Sequence, residues 1–171
     1  MNIQFATDEY NQALRAGQKE FRELTAAGKP THPAVLDELL PENGAHTVVD
    51  VGLIEIPSER IIGTKSAGRI AAFTPSFHPL LDPKSEFAAK WISLCAAHLG
   101  ETGITDPIAC YEYLGNFYVQ EGNKRVSVLR CFGAPRIPGQ VRRVMPAPSE
   151  DPRIRAYYEF LDFYKVSHLY T

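Results

Sequence analysis

Cysteine is scarce in this chain and has no metal-site spacing, since Cys95, Cys110 and Cys131 stand far apart with no CxxC pair among them. That odd count argues against a disulfide framework or a zinc ribbon and suits three packed thiols in a reducing cytoplasm. Long apolar runs are also missing. No segment approaches the ~20 residues that would span a bilayer, so no membrane partner is expected. The opening "MNIQFATDEYNQALRAGQKEF" has neither a cationic start nor an apolar stretch of the length a secretory signal needs, so no export is expected. A dominant charge is lacking too: 18 Lys and Arg against 20 Asp and Glu leave a formal charge of −2, with no basic or acidic tail. What remains is an ordinary globular composition, 44% hydrophobic and 22% charged over 171 residues, enough for one core. No internal repeat or low-complexity tract appears.

Periodicity divides the chain into three regions: an N-terminal helical extension (1–45), a core (46–148) and a closing helix (149–171). From Asp8 to about Ala27, Tyr10, Leu14 and Phe21 to Leu24 recur at helical intervals until "AAGKP" stops them. A short helix fits "HPAVLDELL", ended by "PENG". Both helices read as an addition to the core. "HTVVDVGLIEIPSERIIGT" is rich in Val and Ile and carries a central Pro, which predicts two strands joined by a bend. The proline-rich stretch from Lys65 to Pro83 predicts a loop with a short helical turn. "SEFAAKWISLCAAHLG" predicts a helix with Ser85 as N-cap, Phe87, Trp91, Leu94, Cys95 and Leu99 on one face, and Gly100 at its end. Two aromatic and β-branched runs around Gly115-Asn116 predict a hairpin. A helix from about Lys124 to Phe132 follows, capped by Gly133. "IPGQVRRVMP" then predicts a strand, and the last region a helix with Tyr157, Phe160, Leu161 and Tyr164 inward.

The junction "YVQEGNKRVSVLRCFGA" carries the chemistry. A strand ends at Gln120, Gly122 permits backbone conformations that other residues resist, and Asn123 stands where a helix N-cap would be. The unpaired N–H groups and partial positive charge of a helix N-terminus favour an anion, to which Lys124 and Arg125 would add full charges. Between Gly122 and Ser149 there are six Lys or Arg residues and no Asp or Glu. Cations in a first helical turn oppose the macrodipole unless an anion offsets them, although paired cations there often face water.

The stretch "GITDPIACYEYLGNFYVQEGNKRVSVLRCFGAPRIPGQVRRV" resembles the core of the ParB/sulfiredoxin-like superfamily. The matching residues are Pro107-Ile108, Phe117 to Val119, Glu121-Gly122-Asn123-Lys124-Arg125, and Val128 with Gly133-Ala134. "DVGLIEIPSERIIGT" is similar to the family's opening strand, so the resemblance covers about Asp50 to Val144. It implies a compact α+β fold, a small mixed sheet with flanking helices, whose loop grips nucleotide phosphates. Family members include CTP-hydrolysing DNA partition proteins, an ATP-dependent cysteine sulfinate reductase, a free-serine kinase and proteins labelled as nucleases. The implied cradle is Gly122, Asn123, Lys124 and Arg125, with Ser127 near it. Lys65 and Arg69 lie in the region from which relatives supply further contacts.

Three departures narrow what the resemblance implies. Asn123 stands where the sulfinate reductases have their catalytic Cys, so that reaction is not expected. Lys124 replaces a second Arg of the partition proteins, which continue into a helix-turn-helix, whereas this chain ends after one helix, so operator binding by this segment is not expected. The loop also lacks the His of the serine kinases. Phosphoryl transfer or phosphodiester hydrolysis needs neutralised phosphate charge and a carboxylate to orient the nucleophile. Glu121 and Glu59 are the candidates, ahead of Asp106 and Glu112, with a nucleoside triphosphate (ATP or CTP) and Mg²⁺ as the expected ligands and nucleic acid as an alternative partner. No metal ligand is assigned. His78 is a candidate acid–base group or a packing residue, and Phe73, Phe77 and Trp91 would either cover a base or fill the core. An enzyme and a binding module without turnover both remain open.

Overall fold

A computed structural model of the chain describes residues 2–41, 46–101 and 103–167. The elements run α1 (Asn2–Ala26), β1 (Ala34–Val35), α2 (Leu36–Leu39), β2 (His46–Pro57), β3 (Ile61–Thr64), α3 (Glu86–His98), β4 (Ile108–Tyr113), β5 (Asn116–Glu121), α4 (Asn123–Cys131), β6 (Arg136–Pro146) and α5 (Pro152–Ser167). The strands form one six-stranded mixed sheet in the order β1-β3-β5-β4-β6-β2. The expected α+β class, with a mixed sheet, flanking helices and a helix at each end, is what the chain forms. No described helix is long and apolar enough to cross a membrane.

The sheet is mixed because its pairings are both local and distant. β4 and β5 pair antiparallel as a hairpin, β3 joins β5 in parallel, and β6 joins β4 in parallel. β2 pairs only with β6, antiparallel from His46 against Pro146 to Pro57 against Arg136. The hairpin turn lies one residue earlier than the Gly115-Asn116 expectation. Leu114 (φ 52°) and Gly115 (φ 86°) occupy it, while Asn116 already pairs with Tyr113. A two-residue turn with positive φ at both positions matches the twist of the flanking strands, and its second position is the one that takes the glycine here.

Other local differences have equally local causes. The expected helix over "HPAVLDELL" shrinks to four residues, because Ala34 and Val35 pair in parallel with Gly63 and Thr64 instead. Part of its "PENG" stop, Glu42 to Gly44, lies outside the described residues. Helix α1 begins at Asn2 rather than Asp8, and its first turns bury Ala6 beside Trp91 and Val128. Ser85 caps α3 as its sequence demands, accepting a hydrogen bond from the Ala88 amide at 3.1 Å.

One face of the sheet packs Ile56, Ile61, Ile108, Phe117, Val119, Ile137 and Val141 against Phe73, Phe77 and the Val126 and Leu129 side chains of α4. α1 adds an outer layer. Its Tyr10 meets Trp91 edge-on at 5.2 Å between ring centroids, in a cluster shared with Cys95 of α3 and Val128 of α4. A smaller cluster of Leu36, Tyr111, Tyr118 and Val144 covers part of the other face.

Candidate functional site

At the C-terminal end of β5 the chain turns directly into α4, and Gly122 makes that turn with φ 108° and ψ 25°. A side chain there would be strained twice over, since an added Cβ would lie 2.7 Å from Ile108 Cγ2 and the backbone is left-handed. Gly122 is therefore the cap residue, and Asn123 is the first helical residue rather than the N-cap expected from sequence. The first intrahelical bond runs from the Val126 amide to the Gly122 carbonyl at 3.0 Å. The amides of Asn123, Lys124 and Arg125 precede it, and they face outward from a helix end that carries partial positive charge.

This helix end opens into a cleft of about 640 Å³. Gln120 to Arg125 form one wall. Arg69, Ala72 and Phe73 come from the loop after β3, and Glu86, Phe87, Ala89, Lys90, Ser93 and Leu94 from α3. Four cations, Arg69, Lys90, Lys124 and Arg125, thus line it from three segments. The Lys124 ammonium lies 5.5 Å from the Phe87 ring centroid, and its pKa is held below the usual lysine value by burial and then by the neighbouring charges of Arg69 and Lys90. Glu86 answers part of that charge through Lys90 at 3.0 Å. Glu121, exposed at the rim, makes no ion pair with the described residues. Asn123 adds a buried Oδ1 without a hydrogen-bond partner.

The structure sorts the residues singled out from sequence. Gly122, Asn123, Lys124, Arg125, Arg69 and Glu121 meet at the cleft. Arg125, however, spends part of its guanidinium on the chain itself, with Nη1 donating to the Asp106 and Pro107 carbonyls at 3.1 and 2.8 Å. It fixes the loop against the start of β4. Ser127 does not line the cleft; fully buried behind it, its hydroxyl accepts the Trp91 indole N–H at 2.9 Å, joining α4 to α3. Lys65 also lies outside the lining, paired with Asp37 at 2.6 Å. Glu59 sits in the turn before β3, at the end of the sheet away from Glu121, because Ile61 pairs with Phe117 and Thr64 with Val119 along parallel strands.

Glu112 belongs to that far end too. It is completely buried, accepts the Tyr157 hydroxyl hydrogen bond and lies 3.4 Å from Arg143 Nε. Its carboxyl pKa is raised by burial, which outweighs the opposing effects of Arg143 and Tyr157. His78 is tied to α1, with Nδ1 2.8 Å from Glu20 Oε1, and Glu20 also accepts from the Thr74 hydroxyl at 2.6 Å. Phe77 and Trp91 are core, whereas Phe73 is buried at 1% exposure yet contributes to the cleft wall. Lys90, Glu86 and Ser93 were missed from sequence. The sole signal was the i,i+4 spacing of Glu86 and Lys90, which any solvated helix face also shows.

Among the described residues no three His, Cys, Asp or Glu side chains gather as a metal-binding group. The cleft supplies Glu86 and Glu121, the first already engaged with Lys90. This donor set does not fit a resident metal centre, and the expected Mg²⁺ would have to enter as part of a metal–triphosphate ligand. Comparison with known proteins finds no matching family model, no matching curated protein and no matching solved structure.

Proposed function

We propose that the cleft at the start of α4 binds the phosphate groups of a nucleotide, as the resemblance to ParB/sulfiredoxin-like proteins implies. The observation that carries this reading is the convergence of Arg69, Lys90 and Lys124 on the free amides of Asn123 to Arg125, next to a wall of Ala72, Phe73 and Phe87. A phosphate would meet the amides and cations, and an apolar or aromatic group attached to it would meet Phe87. The Lys124 pKa, lowered first by burial and then by Arg69 and Lys90, supports the same reading, because a bound anion would offset both effects.

For turnover, Glu121, which lines the cleft, would be the carboxylate to orient a water or an acceptor hydroxyl toward a bound phosphate, by nucleoside triphosphate or phosphodiester hydrolysis or by phosphoryl transfer. One observation favours the second reading, a regulatory module that binds nucleotide or nucleic-acid phosphate without turnover. Glu59 lies at the other end of the sheet, which leaves Glu121 without a second unpaired carboxylate in the cleft lining. Thermal-shift measurements with ATP, CTP, GTP, their diphosphates and short single-stranded DNA, with and without Mg²⁺, test binding by mass action. A rise in Tm with one of them supports the site, and a flat panel removes it. Product formation that Glu121→Gln abolishes while binding persists would establish an enzyme.

A further inference from the structure

β2 forms one outer edge of the sheet, and its first residues are bare in an unusual way. Thr47, Val48, Val49 and Asp50 are all exposed, although successive strand residues point to opposite faces. Val48 is 45% and Val49 49% exposed, so both faces are open at these two residues, whereas His46 is partly buried with its Nδ1 enclosed, which leaves Nε2 as the ring atom that can reach outward. β2 has no Lys or Arg and its one Pro is its last residue, so before the irregularity at Asp50 and Gly52 only His46 and Asp50 guard the edge. A register shift between Asp50 and Gly52 ends the regular ladder. It leaves His46 to Asp50 as a short regular segment with one edge unpaired among the described residues. The opposite edge of the sheet, β1, is two residues long and offers nothing comparable.

We propose that a second copy of this chain docks on that edge, β2 against β2, antiparallel about a twofold axis through Val48. Hydrogen-bonding complementarity of donor and acceptor side chains selects this occupant and this register. With Val48 opposite its equivalent, His46 of each copy stands across from Asp50 of the other, on the same face, and Thr47 stands across from Val49. Directly opposed side chains in an antiparallel pair lie about 4.5–5.5 Å apart at Cβ, within reach of an imidazole–carboxylate hydrogen bond. Asp50 is available for it: Oδ1 accepts the Gly52 amide at 3.0 Å, and Arg142, its cross-strand neighbour on β6, turns to the Tyr111 hydroxyl at 3.4 Å instead. Moving the axis to Asp50 would oppose two carboxylates, so the charges as well as the bulge centre the pairing on Val48. The inference rests on the sheet and is independent of the phosphate reading.

Sedimentation velocity on the full chain from about 1 to 200 μM tests it, with circular dichroism reporting that each variant stays folded. The wild type is expected to dimerise with rising concentration, and Val48→Lys to remain monomeric. His46→Asp, which opposes two carboxylates at each end of the pairing, is expected to weaken the dimer at least about tenfold. The double exchange His46→Asp with Asp50→His restores the opposite pairs and is expected to recover most of the affinity. A wild type that stays monomeric throughout overturns the proposal, as does a dimer that Val48→Lys leaves intact or a double exchange no better than His46→Asp alone.

Discussion

The two ends of the sheet treat charge in opposite ways. At the hairpin end, Glu112 is fully buried against Arg143 and Tyr157, whose opposing effects burial outweighs. At the α4 end, Arg69, Lys90 and Lys124 crowd an open cleft where Glu86 alone among the lining carboxylates pairs with one of them. The partners of Glu112 have a structural explanation, because a buried charge without one costs several kcal/mol. The like charges around the helix N-terminus have no such explanation and are what the proposed phosphate site rests on. Sequence alone did not separate the two ends, since it ranked Glu59 beside Glu121 and put Glu112 with Asp106 behind them.

The largest expected effect comes from breaking the closed end. Glu112→Ala leaves Arg143 beside an emptied acid site, and the expected loss is about 3–5 kcal/mol of unfolding free energy, read by urea denaturation. The same group fixes a sign with pH. A carboxyl whose pKa is raised by burial binds more protons folded than unfolded, so its contribution to stability falls as pH rises from the ordinary carboxylate range through the raised value. Glu112→Gln should abolish that slope.

Next in size is the corner between the ends. Gly122→Ala forces a Cβ against Ile108 Cγ2 at a φ of 108°. A loss of about 1–3 kcal/mol is expected, together with weaker nucleotide binding, since the helix end must shift. The open end should respond differently. Lys124→Ala or Arg69→Ala should leave the Tm of the free protein within a degree or two while weakening triphosphate binding by about 1.5–3 kcal/mol in calorimetry, the range for charge-assisted hydrogen bonds. The smallest effect is expected at Glu59→Ala and Lys65→Ala, which should change ligand affinity less than about twofold, because surface charges outside the site matter little.

What could be read from the sequence follows from how local each feature is. Helix α3 with its Ser85 cap, the aromatic hairpin and the strand–glycine–helix corner were legible because each is written within a few residues. The Leu114-Gly115 turn and the Gly122 cap each fell one position before the expected residue. In both cases glycine took the place that positive φ requires. Parallel pairing of β3 with β5 was not legible. It decides that Arg69 enters the cleft while Glu59, ten residues earlier in sequence, stays at the far end. Ser127 shows the same limit: the resemblance implied a place near the phosphate cradle, but the helical turn points it back at Trp91. α3 contributes Lys90 and Phe87 through tertiary packing, to which periodicity is blind.

The most direct test of the account is a calorimetric titration of magnesium–ATP and magnesium–CTP into the wild type and Lys124→Ala. Saturable binding of at least one triphosphate to the wild type, weakened about tenfold or more in the variant at unchanged stability, is the result the account predicts. Absence of binding by either nucleotide, or equal affinity in the two proteins, would contradict it.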